Sequence, residues 1–212
     1  MADFLQQLNP QQRRAVEATE GPLLILAGAG SGKTRVITYR IAHLIENLSV
    51  PAGNVLAVTF TNKAAGQMKD RVAALLTGTA GDHGPHISTF HSFCVRLLRR
   101  DIDRLGYNRD FSIYDADDQL RLVKAAAGEL GLTEEILSPR AAQSRISHAK
   151  NHGISPEELY RQAADVMTEK LASVYDRYEK KLRAANALDF DDLLLKAVEL
   201  FDKAPDIRDL YN

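Results

Sequence analysis

One short stretch combines residue types that could handle phosphate. Ala27-Gly28-Ala29-Gly30-Ser31-Gly32-Lys33-Thr34 follows the phosphate-loop pattern, with alanine where its first glycine usually stands. Gly28, Gly30 and Gly32 allow positive φ and a close approach of backbone to ligand. Successive N–H groups then form an anion nest, and a helix starting near Gly32 adds its dipole and its unpaired N–H groups. On this reading Lys33 reaches the β- and γ-phosphates of ATP and the Thr34 hydroxyl binds Mg²⁺. The chemistry is nucleotide binding, extended to phosphoryl transfer only if an acidic residue also holds the metal.

Two places could supply that acid, and both have simpler roles. Asp115 ends a short half-polar run, Phe111 to Tyr114, and suits the N-cap of the next helix. Asp189, Asp191 and Asp192 lie at another helix start, where carboxylates suit the dipole. No glutamate follows an apolar strand to polarise water. His83 and His86 have metal-ligand spacing but sit in a Gly/Pro loop with no partner cysteine, and read as surface residues. Arg96, Arg100 and Arg104 form a stripe diluted by Asp101 and Asp103, the pattern of a solvated helix face. Tyr175 and Tyr178 read as core.

The elements that must position the loop follow from patterning. Asn9 and Pro10 open a short helix as N-cap and first residue, with Ala15 and Val16 inward. Leu23 to Leu26 reads as a buried strand leading into the loop. After it, Ile37, Ile41, Leu44, Ile45 and Leu48 recur at helical spacing. Val55 to Phe60 is a second strand, too apolar for a solvated face. Thr61 or Asn62 caps a helix to about Leu76, Gly78 to Pro85 is loop, His86 to Ser88 is a third strand, and Thr89 caps a helix carrying Phe93, Val95 and Leu98 inward. Alternating strand and helix implies a parallel α/β sheet. Ligands bind at the carboxyl edge of such a sheet, so the phosphate loop, Phe60 to Lys63 and Thr89 to His91 should share one surface.

From Phe111 onward the periodicity is helical: 120–130, 139–149, 156–164 and 168–187. This predicts an all-helical domain over 111–188 inserted into an α/β domain formed by 1–110 and 189–212. In the last segment Phe190, Leu193, Leu194, Ala197, Val198 and Phe201 define one helix face.

Composition sets the outer bounds. A chain of 212 residues, 45% apolar, can bury a core, and its net charge of −1 argues neither for nor against nucleic acid. The positive excess lies within 1–110, with the phosphate loop, and the acidic excess within 189–212. Cys94 is the only cysteine, which excludes a disulfide framework and a cysteine zinc site. No apolar run approaches the ~20 residues that cross a membrane, and the polar start lacks a signal-peptide core. The expectation is a cytoplasmic protein with no membrane partner.

Five ordered motifs add a resemblance: Leu8-Asn9-Pro10-Gln11-Gln12, Ala27 to Arg35, Thr59-Phe60-Thr61-Asn62-Lys63-Ala64-Ala65, Ser88-Thr89-Phe90-His91-Ser92 and Leu188-Asp189-Phe190-Asp191-Asp192-Leu193. Together they resemble the amino-terminal part of the UvrD/PcrA/Rep family of superfamily 1 DNA helicases. The resemblance implies a RecA-like ATPase domain that works with a second such domain, moving 3′ to 5′ along single-stranded DNA in repair or replication and meeting single-strand/duplex junctions. It implies that Gln12 contacts adenine and Arg35 packs near the base. It also makes the whole loop from Ala27 to Thr34, including Ala29 and Ser31, the nucleotide cradle. Phe60, Thr61, Asn62, Lys63, Thr89, Phe90 and His91 become single-strand contacts. The family's Asp-Glu-x-Gln-Asp element, expected after Asp192, is absent, as are the arginine finger and the second domain. The RecA-like domain is therefore expected to be incomplete, its sheet exposing apolar edges, and the chain alone to lack turnover. The competing readings are a self-contained small phosphotransferase using Asp115 for Mg²⁺, and a non-catalytic nucleotide- or DNA-binding module.

Overall fold

Residues 4–76 and 84–211 are described by the computed structural model; His83 and most of the loop expected over 78–85 lie outside them. The chain divides at the Phe90/His91 boundary into two units.

In the first unit, a 3₁₀ turn (Phe4–Gln7) precedes α1 (Pro10–Glu17). Asn9 caps α1 as its sequence implies. Asn9 Oδ1 accepts from the Gln12 N–H at 2.8 Å, and Gln12 Oε1 accepts from the Asn9 N–H at 3.2 Å, a reciprocal capping box. Helix α2 (Lys33–Ala42) continues into one π-helical turn (His43–Asn47). Its buried arc is split. Val36, Tyr39 and Ala42 pack with Phe4, Leu5, Leu8 and Val16, whereas Ile41 and Ile45 join Val55, Met68, Val72 and Ile87. The single stripe expected from the sequence is therefore wrong at Ile37 and Leu48, which are exposed. A helix with neighbours on two sides, here α1 and α3, needs two narrow apolar arcs rather than one broad one.

Strand β1 (Leu56–Thr59), α3 (Asn62–Leu75) and β2 (His86–Thr89) complete this unit. Thr61 caps α3, its hydroxyl accepting from the Ala64 N–H at 3.2 Å. β1 and β2 pair in parallel, Leu56 beside His86 through to Thr59 beside Thr89. Thr89 closes β2 rather than capping the next helix.

Two sequence expectations fail here for one reason. Leu23 to Leu26 forms no strand, and β1 is not buried on both faces: Leu24 is 80% exposed, Leu26 85% and Leu56 46%. An apolar run becomes a buried strand only when neighbouring strands satisfy its N–H and C=O groups and helices cover its faces. Among the described residues the sheet holding β1 has two strands, and the 22–27 segment has no ladder partner. The apolar exposure expected at sheet edges is found instead mostly on this unpaired segment, with Leu56 of β1 half-exposed. The 212-residue chain should therefore bind an apolar dye and self-associate, as an unpaired apolar segment does. Leu24→Lys with Leu26→Lys should abolish both while shifting stability by no more than about 0.5 kcal/mol. Sedimentation velocity with a dye titration checks this, and an unchanged profile in the double variant would count against it.

In the second unit, α4 (Phe90–Asp101) buries Cys94, Leu97 and Leu98. Then follow β3 (Ser112–Tyr114), α5 (Ala116–Glu129), α6 (Pro139–Asn151), α7 (Pro156–Arg161), α8 (Val166–Ala184), β4 (Ala187–Asp189), α9 (Phe190–Lys203) and α10 (Pro205–Asp209). β3 and β4 pair in parallel, Ser112 with Ala187 and Tyr114 with Asp189. This pairing is absent from the periodicity, which runs helix through Ala187. Asn186 makes the turn possible by taking φ +47°, a region asparagine tolerates, and its Oδ1 accepts from the Asn108 N–H at 2.9 Å.

Two cores lie in this unit. One gathers Val123, Ala126, Leu137, Ala142, Ile146, Leu171, Val174, Tyr178 and Leu182 from α5, α6 and α8 and the stretch before α6. The other gathers Leu97, Leu98, Ile102, Phe111, Leu188, Leu193 and Leu200 from α4, α9 and their flanks. On α9 the buried face is Leu193, Ala197 and Leu200, while Phe190 and Val198, expected inward, are 49% and 60% exposed.

Candidate nucleotide-binding loop and strand-end platform

The loop from Ala27 to Gly32 leaves the 22–26 segment and enters α2 at Lys33. Gly30 and Gly32 take φ of +76° and +87°, the left-handed region that favours glycine; Gly28 does not, so its expected role there falls away. Gly32 is the tighter position. A Cβ on it would lie 2.8 Å from Gln12 Nε2, so alanine there would be strained and would press on Gln12.

Lys33 lies over the loop, donating to the Ala27 and Gly28 carbonyls at 2.8 and 2.7 Å. Ser31 Oγ also donates to the Gly28 carbonyl, at 2.7 Å. The ammonium is thus held at the loop by weak neutral acceptors that an anion could outcompete. Thr34 is exposed on the first turn of α2, beside that helix's unpaired N–H groups. Gln12 Nε2 donates to the Ser31 carbonyl at 3.0 Å, so this side chain joins the α1 cap to the loop. Arg35 donates to the Gln7 carbonyl at 2.9 Å, and its guanidinium lies 5.2 Å from the Tyr39 ring centroid. Tyr39 OH in turn donates to Gln7 Oε1 at 2.7 Å. Gln7 and Tyr39 were not singled out from sequence, although Tyr39 lies one turn after Arg35.

At the carboxyl ends of β1 and β2 the parallel register brings Phe60 and Phe90 together, ring centroids 5.7 Å apart and tilted by 40°. Phe60 is 91% exposed, a costly placement for a large apolar ring unless something covers it. Thr61, Asn62 and Lys63 follow, exposed, at the N-terminus of α3. Thr89 is buried as the last residue of β2, beside Thr59 of β1. The ring of His91, in the second unit, lies 5.9 Å from that of Phe190, tilted by 59°. The register thus brings Phe60 to Lys63 and the Thr89–Phe90 part of the next expected segment to one sheet edge, while the phosphate loop has no strand pairing to β1 or β2.

The other candidates resolve into structural roles. Asp115 Oδ1 accepts from the Asp117 and Asp118 N–H groups, both at 2.9 Å, capping α5. That leaves the phosphotransferase reading without its proposed metal ligand. Arg100 and Arg104 pair with Asp101 and Asp206. Asp189 and Asp192 cap α9 reciprocally and are bound by Lys150. Glu179, Asp189 and Asp192 offer oxygens within 4.8 Å of one another, a spacing that suits a cation, and the Lys150 ammonium is that cation. Lys150 was missed from sequence, though it sits one residue past the apolar series Ala142, Ile146, Ala149, on the buried arc of α6.

The family described as "UvrD/REP helicase N-terminal domain" matches residues 8–212. The chain is 49% identical over 208 residues, 98% of its length, to the ATP-dependent DNA helicase PcrA of Bacillus subtilis. It is 45% identical over 213 residues to the protein of that name from Staphylococcus aureus, and 44% identical over 204 to that from Leuconostoc citreum. It spans 27 to 29% of the length of these relatives. No helix among the described residues is long and apolar enough to cross a membrane.

Proposed function

Because the chain belongs to the UvrD/REP helicase family, we propose that it is the amino-terminal ATP- and single-strand-binding part of an ATP-dependent 3′–5′ DNA helicase. The observation that carries this reading is the phosphate loop, with Gly30 and Gly32 at positive φ and Lys33 resting on replaceable carbonyls. The donor set suits a triphosphate: helix N–H groups, an ammonium and a hydroxyl. ATP would be held by Ala27 to Thr34, Mg²⁺ by Thr34, and the base by Gln12 and Arg35. When bound, the metal would neutralise charge on the β- and γ-phosphates. The chain's own contribution is orientation. Lys33 would exchange its carbonyl partners for phosphate oxygens, and Gln12 would loosen its hold on Ser31 to reach the adenine.

Residues 111–188, with a core of their own, are read as the inserted helical domain, and 1–110 with 189–212 as the incomplete RecA-like part. The exposed Leu24 and Leu26 are the surface that the remainder of the helicase chain would cover. With no carboxylate assigned to Mg²⁺, the 212 residues alone should bind nucleotide without turning it over.

Phe60, with Phe90 beside it, is read as a platform on which a base stacks. Thr61, Asn62, Lys63 and the α3 N-terminus meet the adjoining phosphates, with Thr89 closing the strand behind Phe90; His91 is proposed as a further single-strand contact from the second unit. Base stacking on an aromatic is worth about 1–3 kcal/mol, so Phe60→Ala should weaken binding of an oligodeoxythymidylate roughly 5- to 150-fold. Fluorescence anisotropy checks this. Equal affinity for single-stranded and duplex DNA, unaffected by Phe60→Ala, would reject the platform.

A further inference from the structure

Lys150 is the most deeply buried cation among the described residues, its side chain 1% exposed. It comes from α6, within the helical core, yet it reaches the start of α9, which belongs to the other core of the same unit. Its Nζ donates to Asp189 Oδ2 at 2.8 Å and to Asp192 Oδ1 at 2.7 Å. Glu179 Oε1, from α8, lies 2.7 Å away, close enough for an ion pair though not aligned as a hydrogen bond. Tyr178 OH, also from α8, donates to Asp189 Oδ2 at 2.8 Å. The remaining carboxylate oxygens close the α9 capping box: Asp189 Oδ1 accepts from the Asp192 N–H at 2.8 Å and Asp192 Oδ2 from the Asp189 N–H at 3.1 Å. Next to Lys150, Asn151 donates to Asp191 at 3.0 Å.

We propose that Lys150 is a positioning residue, the pin of a clasp that fixes α6 and α8 against the β4–α9 junction and so sets the orientation of the helical segment. The proposal rests on reading 111–188 as an insertion. A buried group that only stabilised one core would find its partners there. Lys150 takes all its hydrogen-bonded partners from the other side of the junction, at the first residues where the chain returns. An ammonium and carboxylates in a low-dielectric site also have directional hydrogen bonds that apolar packing lacks, so one relative placement is favoured over sliding alternatives.

The charge count makes the clasp sensitive to protons. Three carboxylates face one ammonium, with the neutral phenols of Tyr175 and Tyr178 beside them and Lys196 further along α9. Burial, with Asp189 and Glu179 adding to it, pushes Asp192 up to about 7 against the pull of Lys150. Near neutral pH the cluster therefore gains or loses one proton.

Hydrogen exchange of the 212-residue chain, followed by mass spectrometry without nucleotide or DNA, tests this. In Lys150→Met, exchange of the 189–193 amides should rise at least tenfold more than that of the 97–98 core. In the unsubstituted chain, the 189–193 rates, corrected for intrinsic base catalysis, should change slope near neutrality. Asp192→Asn should fold and lose that inflection, and this arm stands even if Lys150→Met fails to fold. A uniform rise across 91–211, or an inflection that survives in Asp192→Asn, would overturn the clasp. Neither outcome bears on the nucleotide loop or the Phe60 platform, which lie in the first unit and are read by ligand binding.

Discussion

Lys150→Met should cost the 91–211 unit roughly 3–5 kcal/mol, the loss seen when one partner of a buried ion network is removed. The substitution keeps most of the stem volume, so packing contributes little, and the cost comes from leaving the buried Asp189 and Asp192, with Glu179 at the rim, facing one another without a cation. Adding Asp192→Asn should recover part of the loss, because it removes one of the stranded charges, and the two effects should be clearly non-additive. Urea denaturation followed by helical circular dichroism measures both. A loss below about 1 kcal/mol would mean that the network is only a surface-grade ion pair.

The same cluster sets a pH dependence of definite sign. Asp192 is raised in the folded state from 3.8 to about 7, so the folded chain holds its proton more tightly than the unfolded chain. Its contribution is full below the unfolded value, shrinks as pH rises from about 4 to 7, and is gone above that, at no more than about 1.4 kcal/mol per pH unit. Lys150 works on the opposite flank. Burial lowers it, but Asp192, Asp189 and Glu179 outweigh that and hold it above its ordinary value, so its contribution persists until strongly alkaline pH. Comparison with Asp192→Asn isolates the acid-side effect, since only the unsubstituted chain should lose this stability between pH 5 and 7.

Lys33→Ala should weaken ATP binding by about 10- to 150-fold, the equivalent of 1.5–3 kcal/mol for hydrogen bonds to a charged group. Folding should be nearly unaffected, because Lys33 is exposed and its present acceptors, the Ala27 and Gly28 carbonyls, can turn to water. Titration with a fluorescent nucleotide checks the affinity, and a change under threefold would remove the loop from the nucleotide site. Hydrolysis assays on the same pair carry a second result. With Asp115, Asp189 and Asp192 occupied as caps and clasp, neither protein should turn ATP over. Turnover that disappears in Lys33→Ala would show that a carboxylate within these residues does hold Mg²⁺.

Local chemistry was legible in the residue order. The Asn9, Thr61, Asp115 and Asp189 caps form as their side chains dictate, because a cap needs only its own backbone two or three residues on. The phosphate loop is equally local, its glycines and lysine lying within a few residues of the carbonyls they serve. Parallel pairing of the two strands that lead into Phe60 and Phe90 followed from alternation alone. Three things depended on which distant segments meet. Leu23 to Leu26 has the composition of a buried strand but lies exposed, since no neighbouring strand completes its ladder. The β3–β4 pair joins residues 75 positions apart, across a stretch whose periodicity is wholly helical. Lys150 reads in sequence as one more surface charge, and becomes the centre of a buried network only because α6, α8 and the return at Asp189 converge on it. Short-range hydrogen bonds are fixed by sequence neighbours, whereas burial and the pairing of charges are properties of the surface that folding brings against them.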